Sequence, residues 1–394
     1  MNIILARKLT PEGYGGFSVA FTIFLLISGL QAALILEPVA VYSVKRHLQT
    51  LPPYLGFQVR LQTGLMVVLG LALLLTSVLI PGVTGQALMG VAIGLPFILL
   101  FWFMRQVCYV ETRSKLAMQS SVGYAFILIV GLFLLDREGV LTPFSAYMLM
   151  AASSLLAALY PWYRLRVDVI DRSGVYRRSQ AAAIWKENLT YGKWILAAGG
   201  ANWTASLAYI PLVGLFAGVA EAGAYRAVQN LVLPLQQALS AVYLMLLPWL
   251  SRQRAEKGPG NLQRTTRNLL FFLALVIVSY NAFLILLSKE ILWFVYQNPY
   301  YQGFIWLIPF LGLLSLINMV ANTLSISLRA LERAREILWI KIAPAALTLT
   351  IGIWAVQNWM IAGVVLGLMI SGVVETAVSV IFYWKTIKRE NRFL

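Results

Sequence analysis

Eleven apolar runs, each long enough to cross a bilayer, follow one another along this chain, near residues 15–36, 62–80, 87–108, 119–135, 142–163, 190–217, 224–250, 268–288, 302–328, 336–356 and 359–383. A run of about 20 such residues leaves water only if every backbone N–H and C=O is bonded within its own segment, and an α-helix is the one local structure that does so. The expected fold class is therefore an all-α polytopic membrane protein. Composition agrees: of 394 residues 60% are hydrophobic and 12% charged, against roughly 45–50% and 25% in soluble domains. A water-soluble fold of this length has no means of covering so much apolar surface.

The charges sit between the runs. A net charge of +16 in a soluble chain would point to nucleic acid. Here the Lys and Arg are confined to short loops, so anionic membrane lipids, and not nucleic acid, are the expected electrostatic partners. Loops after the first, third, fifth, seventh and ninth runs, with the C-terminal tail, hold 26 of the 31 basic residues when Arg105 and Lys341 are counted with their nearest loop. The opposite set holds Arg7, Lys8, Arg137, Arg226 and Lys289, and its loops Pro81–Gln86 and Val356–Asn358 carry no charge. Positive residues are retained in the cytoplasm during insertion, which puts the C-terminus there. One cysteine, Cys108, and one histidine, His47, are too few for a disulfide or a metal site. No cleavable signal pattern precedes the first run.

The longest polar stretch divides the chain near its middle. We read residues 164–189 as a cytoplasmic linker between an N-terminal bundle, 1–163, and a C-terminal bundle, 190–394. A loose internal repeat agrees with two halves: Tyr14-Gly15-Gly16-Phe17-Ser18 and Ala222-Gly223-Ala224-Tyr225-Arg226 each open a run that ends in a basic segment, Lys45-Arg46 and Arg252-Gln253-Arg254. Parallel repeats of this kind are one transporter plan, with the substrate site between the halves.

Polar side chains at membrane depth are costly and mark functional positions. Arg226, Gln229, Asn230, Gln237 and Ser240 fall at i, i+3, i+4, i+11 and i+14, one face of a helix. That stripe is expected to face a cavity, and helix–helix hydrogen bonding is its alternative. Weaker stripes are Tyr14, Ser18, Thr22 and Ser28, and Gly199, Asn202, Ser206 and Tyr209, where Gly199-Gly200 would permit close packing or a bend. Glu375, deep in the last run, is expected to be protonated, paired or in a wet cavity, and is the candidate coupling-ion residue. Glu37, beside Pro38 near the cytoplasmic end, is expected to be solvated or to pair with Lys45 or Arg46. Trp185, Trp194, Trp293, Trp339, Trp359 and Trp384 fall near run ends as an interfacial belt.

Three segments carry a family resemblance. Ala6-Arg7-Lys8-Leu9-Thr10-Pro11-Glu12-Gly13-Tyr14-Gly15 resembles the A-R-x-L-G-P-x-x-Y-G segment between the first two helices of polysaccharide flippases. Gly218-Val219-Ala220-Glu221-Ala222-Gly223-Ala224-Tyr225, with Leu233-Pro234 and Leu247-Pro248-Trp249-Leu250-Ser251, is similar to that family's seventh-to-eighth helix junction. Ala362-Gly363-Val364-Val365 with Glu375 resembles its last helix. The group is Wzx-like and belongs with the multidrug/oligosaccharidyl-lipid/polysaccharide exporters.

The resemblance implies two six-helix bundles around a central cavity and movement of an undecaprenyl-diphosphate-linked oligosaccharide across the bacterial cytoplasmic membrane, for cell-surface polysaccharide synthesis. It implies a lipid-linked oligosaccharide as substrate, and a polysaccharide polymerase or glycosyltransferases as partners. Arg7 joins Arg226, Gln229, Asn230, Gln237, Asn202 and Tyr209 as a candidate headgroup-binding residue. No catalytic residue, cofactor or metal is expected. The rival is an ion-coupled multidrug or metabolite antiporter of the same superfamily, which would want a carboxylate-centred cavity. An enzyme such as a glycan polymerase would want a large charged outer loop, and these are short. The family has a complete helix before the Ala-Arg segment, where this sequence has five residues, about 7.5 Å of helix; a complete helix is expected to precede Met1 in the native protein.

Overall fold

A computed structural model describes residues 1–45, 51–165, 178–331 and 334–390. Among these the secondary structure is helical throughout. Contacts divide the chain into two compact units, Ile3–Gly200 and Ala201–Leu394.

In the first unit a short helix α1 (Asn2–Lys8) ends at extended Leu9, and Thr10 caps α2 (Pro11–Gln31) by accepting from the Gly13 N–H at 3.0 Å. Pro11 sits at the first helical position, where its missing N–H costs nothing. The Ala6–Gly15 segment is thus a helix end, a cap and a helix start. α2 runs through a π-turn (Ala32–Leu36) into α3 (Glu37–Lys45). Pro38 explains the π-turn, because a proline ring clashes with the carbonyl four residues earlier and widening the turn relieves it. There follow α4 (Leu51–Leu79), α5 (Gly82–Val110), α6 (Ser114–Arg137), α7 (Pro143–Leu165) and α8 (Arg178–Ser206).

α5 is the centre of this unit, packed against α2, α4, α6 and α7. Gly90 and Gly94, one turn apart, let α7 approach: an added Cβ would meet Tyr147 Cβ at 2.9 Å and Ala151 Cβ at 3.2 Å. Small residues at this spacing bring membrane helices close, since apolar side chains gain nothing by leaving lipid. Several buried polar groups are bonded across helices. Tyr147 OH donates to Phe17 O at 2.8 Å, and Gln31 Nε2 donates to Gln62 Oε1 at 2.9 Å and to Leu99 O at 2.8 Å. The outer faces are apolar, with Val78 and Leu79 79% and 80% exposed. That inversion suits lipid, not water.

Two expectations need correction here. The second span begins at Leu51, well before residue 62, because Gln58 and Gln62 are absorbed by buried amide pairing. Residues 178–189 of the expected linker open α8, and Asn188 there is buried against Gln58; residues 166–177 lie outside the described ones.

In the second unit α8 ends and α9 (Tyr209–Phe216) begins after a break at Leu207–Ala208. Gly199-Gly200 does not serve close packing, for an added Cβ at either meets nothing within 4 Å. α10 (Val219–Leu286) is assigned as one element of 68 residues, yet Tyr280 OH donates to Leu231 O at 2.7 Å. A straight helix would hold those residues about 73 Å apart. Its arms, 219–250 and 263–286, therefore lie against each other, sharing a cluster of Leu235, Leu239, Leu273 and Ile277, and they are the seventh and eighth expected spans. After α11 (Ser288–Tyr296) and a tight turn (Pro299–Phe304) come α12 (Leu307–Ala330), α13 (Ala334–Leu347), a π-turn (Thr348–Gly352) and α14 (Ile353–Glu390).

The uncharged loop expected at 356–358 is instead helical, and the reversal falls at Met360, whose φ of 50 and ψ of −126 break α14 in two. Gly363 lies so close to the Ala355 carbonyl that an added Cβ would stand 2.0 Å from its oxygen. Eight segments among the described residues are long and apolar enough to span a membrane, and one, Glu336–Lys388, has 53 residues. That one is a hairpin about Met360; with the α8–α9 pair and the first arm of α10 the eleven crossings are accounted for. The chain is a multi-pass membrane protein. Trp194, Trp293, Trp339, Trp359 and Trp384 are each about half exposed, as interfacial anchors are, whereas Trp185 packs into the first unit's core.

Candidate functional site

Five helices of the second unit each turn a polar face towards one cavity of about 300 Å³. α8 supplies Asn202 and Ser206, one turn apart. The first arm of α10 supplies Arg226, Gln229 and Gln236, at i, i+3 and i+10. α12 supplies Ser315, Asn318 and Asn322, at i, i+3 and i+7. α13 supplies Lys341, and α14 supplies Ser371 and Glu375. Each set lies on one stripe of its helix.

The start of α10 fixes where Arg226 falls. Gly218 caps that helix with φ 134, a conformation L side chains rarely adopt. The Glu221 carboxylate folds back so that an added Cβ on Gly218 would meet its Oε2 at 2.3 Å. A carboxylate three residues into a helix suits the exposed N–H groups and positive end of the macrodipole. Glu221 thus has a helix-starting role.

Electrostatics single out three residues. Lys341 Nζ lies 2.6 Å from Glu375 Oε1, with the two side chains 20% and 14% exposed. Arg226 is 5% exposed and its Nη1 donates to Gln229 Oε1 at 2.7 Å. The other polar lining groups are amides and hydroxyls, so the cavity carries two cations and one carboxylate, a net positive charge. Taking charges out of water is costly unless each is paired or hydrogen bonded, which the Lys341–Glu375 pair achieves. Pro344, also on the lining, removes one backbone bond a turn beyond Lys341.

Of the residues picked from sequence, Arg226, Gln229, Asn202, Ser206 and Glu375 line this cavity. Asn230 is buried but does not line it, and Gln237 and Ser240 are exposed away from it. Tyr209 is wholly buried, its OH 3.4 Å from Thr348 Oγ1 and against Gly352 and Gly367, a packing position. Arg7 is exposed on α1 of the first unit, beside Lys8, which pairs with Asp136 at 2.7 Å. On α2, Ser18, Thr22 and Ser28 donate to carbonyls of their own helix, so that stripe is spent on packing. Glu37 is exposed, and the side chains of Lys45 and Arg46 lie outside the described residues.

Sequence reasoning missed Lys341, Gln236, Asn318, Asn322 and Ser371. The Ser315, Asn318, Asn322 spacing was a usable signal. Lys341 was hidden by being counted with a cytoplasmic loop; moving it into the cavity leaves the charge asymmetry of the loops intact. Among the described residues no group of three His, Cys, Asp or Glu side chains stands ready for a metal.

A family model described as "Polysaccharide biosynthesis protein" matches residues 150–303. No curated protein matches the chain. Solved structures resemble it over nearly its whole length. An inward-facing multidrug resistance MATE family transporter of the MOP superfamily superposes with TM-score 0.83 at 15% identity, over 99% of this chain and 94% of that one. A MOP superfamily transporter from Pyrococcus furiosus, whose reversed binding-pocket polarity suggests a different function, gives 0.67 at 14%, over 99% and 91%. The lipid II flippase MurJ in an inward closed conformation gives 0.74 at 13%, over 96% and 83%. At these identities the likeness speaks for the fold. The polysaccharide biosynthesis match and these structural likenesses are what the chain is similar to in sequence and in fold.

Proposed function

We propose that the protein moves an undecaprenyl-diphosphate-linked oligosaccharide from the inner to the outer leaflet of the bacterial cytoplasmic membrane, its C-terminus in the cytoplasm. The observation that carries this reading is the excess of cation over carboxylate in a cavity otherwise built of amides and hydroxyls. A diphosphate is a dianion or more, and a guanidinium offers it a fork of donors that a lysine lacks. The amides of Gln229, Asn318 and Asn322 suit sugar hydroxyls, which need both donors and acceptors. Flipping breaks no bond in the substrate, so no nucleophile or acid–base pair is required. A polymerase or the glycosyltransferases that build the substrate are the partners this role implies.

A drug or metabolite antiporter is less well supported, because the one carboxylate of the cavity already holds a lysine. In cells carrying the chain as their only such flippase, Arg226→Ala and Arg226→Lys at normal protein levels are expected to lower surface glycan several-fold, with Glu221→Ala close to wild type. Unchanged export in Arg226→Ala would overturn the reading.

A further inference from the structure

Away from that cavity, the first unit gathers three cations at one helix junction. The turn between α5 and α6 carries Arg113, the first turn of α6 carries Lys115, and the end of α7 carries Arg164; the three line one hollow together with Gln119. A second hollow adjoins it, sharing Arg113 and Arg164 and walled by Trp162 and Tyr163. Among the described residues no carboxylate lines either hollow. The three basic side chains make no hydrogen bond or ion pair with a described residue. We infer that this junction binds the phosphate of an anionic phospholipid, whose acyl chains lie along α6 and α7. Such a site serves the protein in its membrane whatever the second unit's cavity carries.

Charge says that the ligand is an anion. Like charges around one hollow repel one another, and water screens that cost without removing it. A phosphate diester relieves it, and Arg113 and Arg164 each offer such a group a fork of donors. The surface that continues from the hollow says that the anion belongs to a lipid. Along α6 the side chains of Met118, Val122, Phe126, Ile129 and Phe133 are exposed at spacings of four and three, one face of the helix. α7 packs beside it with Leu156, Leu159 and Tyr163 exposed. Tyr160 OH donates to Gln119 Oε1 at 3.3 Å, which joins the two helices at the edge of the hollow. A headgroup held at the junction thus has an apolar surface for its chains, which inorganic phosphate cannot use. Trp and Tyr collect where hydrocarbon meets headgroups, and Trp162 and Tyr163 set the hollow at that depth. Basic pockets between membrane helices at this level suit anionic lipid headgroups.

Diffuse surface charge makes a different prediction, because it depends on how many cations there are and not on where they stand. The test follows binding of dioleoylphosphatidylglycerol to the purified full chain in detergent by native mass spectrometry, with dioleoylphosphatidylcholine as the lipid of no net charge. Arg113→Gln, Lys115→Gln and Arg164→Gln combined are expected to weaken phosphatidylglycerol binding about tenfold or more and to leave phosphatidylcholine binding unchanged. Arg264→Gln, Arg267→Gln and Lys385→Gln combined remove as many exposed cations from other basic segments, and are expected to change it by less than about twofold. Arg164→Glu alone serves if the first triple variant does not fold, and is expected to weaken binding about fivefold or more. Equal weakening by the two triple variants, or unchanged binding in Arg164→Glu, overturns the inference. Inorganic phosphate in excess is expected to leave the lipid bound. Displacement by it would mean a site for a free anion, displacement by equimolar farnesyl diphosphate a site for an isoprenoid diphosphate, and either overturns the assignment to a phospholipid. Glycan export is not read by this measurement, so the proposed function stands or falls separately.

Discussion

Gln58 on α4 and Asn188 on α8 form a reciprocal amide pair, Asn188 Nδ2 donating to Gln58 Oε1 at 3.0 Å and Gln58 Nε2 to Asn188 Oδ1 at 3.3 Å. Both are fully buried. An amide pair closes on itself, leaving little polar surface unbonded in a region where water is scarce. Gln58 Nε2 also donates to Tyr54 OH at 2.9 Å, which ties the pair to the next turn of α4.

The asymmetry of hydrogen-bond energetics makes this pair testable. Removing one partner strands the other, at a cost of about 1–3 kcal/mol, whereas replacing both by apolar groups is nearly neutral. Gln58→Leu and Asn188→Leu are each expected to lower the unfolding midpoint of the purified protein in detergent. The double variant is expected to recover most of the loss, which a thermal or denaturant double-mutant cycle would read as coupling of opposite sign to the single effects. Additive losses would mean the pair is not the unit of stability.

Orientation can be checked at described loops. The turn at Thr112–Arg113 belongs to the basic set, while Gly139 and Asn358 lie on the uncharged or weakly charged side. In a Cys108→Ser background, cysteines at Gly139 and Asn358 are expected to react with an impermeant thiol reagent in intact cells. One at Arg113 is expected to react only after lysis. The reverse pattern would invert the whole topology, and with it the direction of transport proposed above.

Much of the fold was legible because the bilayer allows so few solutions. Apolar runs of the right length give helices, and the eleven crossings follow from hydropathy alone. What hydropathy missed were places where polar groups satisfy each other inside the protein. α4 extends back to Leu51 because the amides of Gln58 and Gln62 find partners, and no scale that scores residues singly registers a partner 130 positions away. The reversal at Met360 falls two residues beyond the break expected at 356–358, because the backbone turns on Met360 itself and keeps those residues helical. At the site, Arg226, Gln229 and Asn202 were recognisable as polar stripes. Lys341 was not, because a lysine near a helix edge looks the same whether it snorkels to the interface or turns inward to a carboxylate on another helix. Glu375 was expected to be protonated, paired or in a wet cavity; its pairing with Lys341 depended on how α13 meets α14.

Gln236 and Gln237 offer the sharpest comparison of the two readings of α10. The sequence stripe runs through Gln237 at i+11 from Arg226, as an ideal helix would have it, whereas the cavity is lined by Gln236. Neighbours on a helix point about 100° apart, and the lining of this arm, which runs from Tyr225 and Arg226 through Gln229, Val232 and Leu233 to Gln236, does not take in Gln237. Gln237 is exposed on another side, where leucine is no worse than the many apolar side chains already outside. Gln236→Leu puts an apolar group among amides and removes one donor and one acceptor from the cavity. We expect it to weaken pyrophosphate binding about threefold or more, near the low end of the roughly 0.5–1.5 kcal/mol that a typical hydrogen bond contributes. Gln237→Leu is expected to bind like the wild type. A loss in Gln237→Leu with Gln236→Leu unaffected would move the ligand off this cavity and onto the face that simple helical periodicity selects.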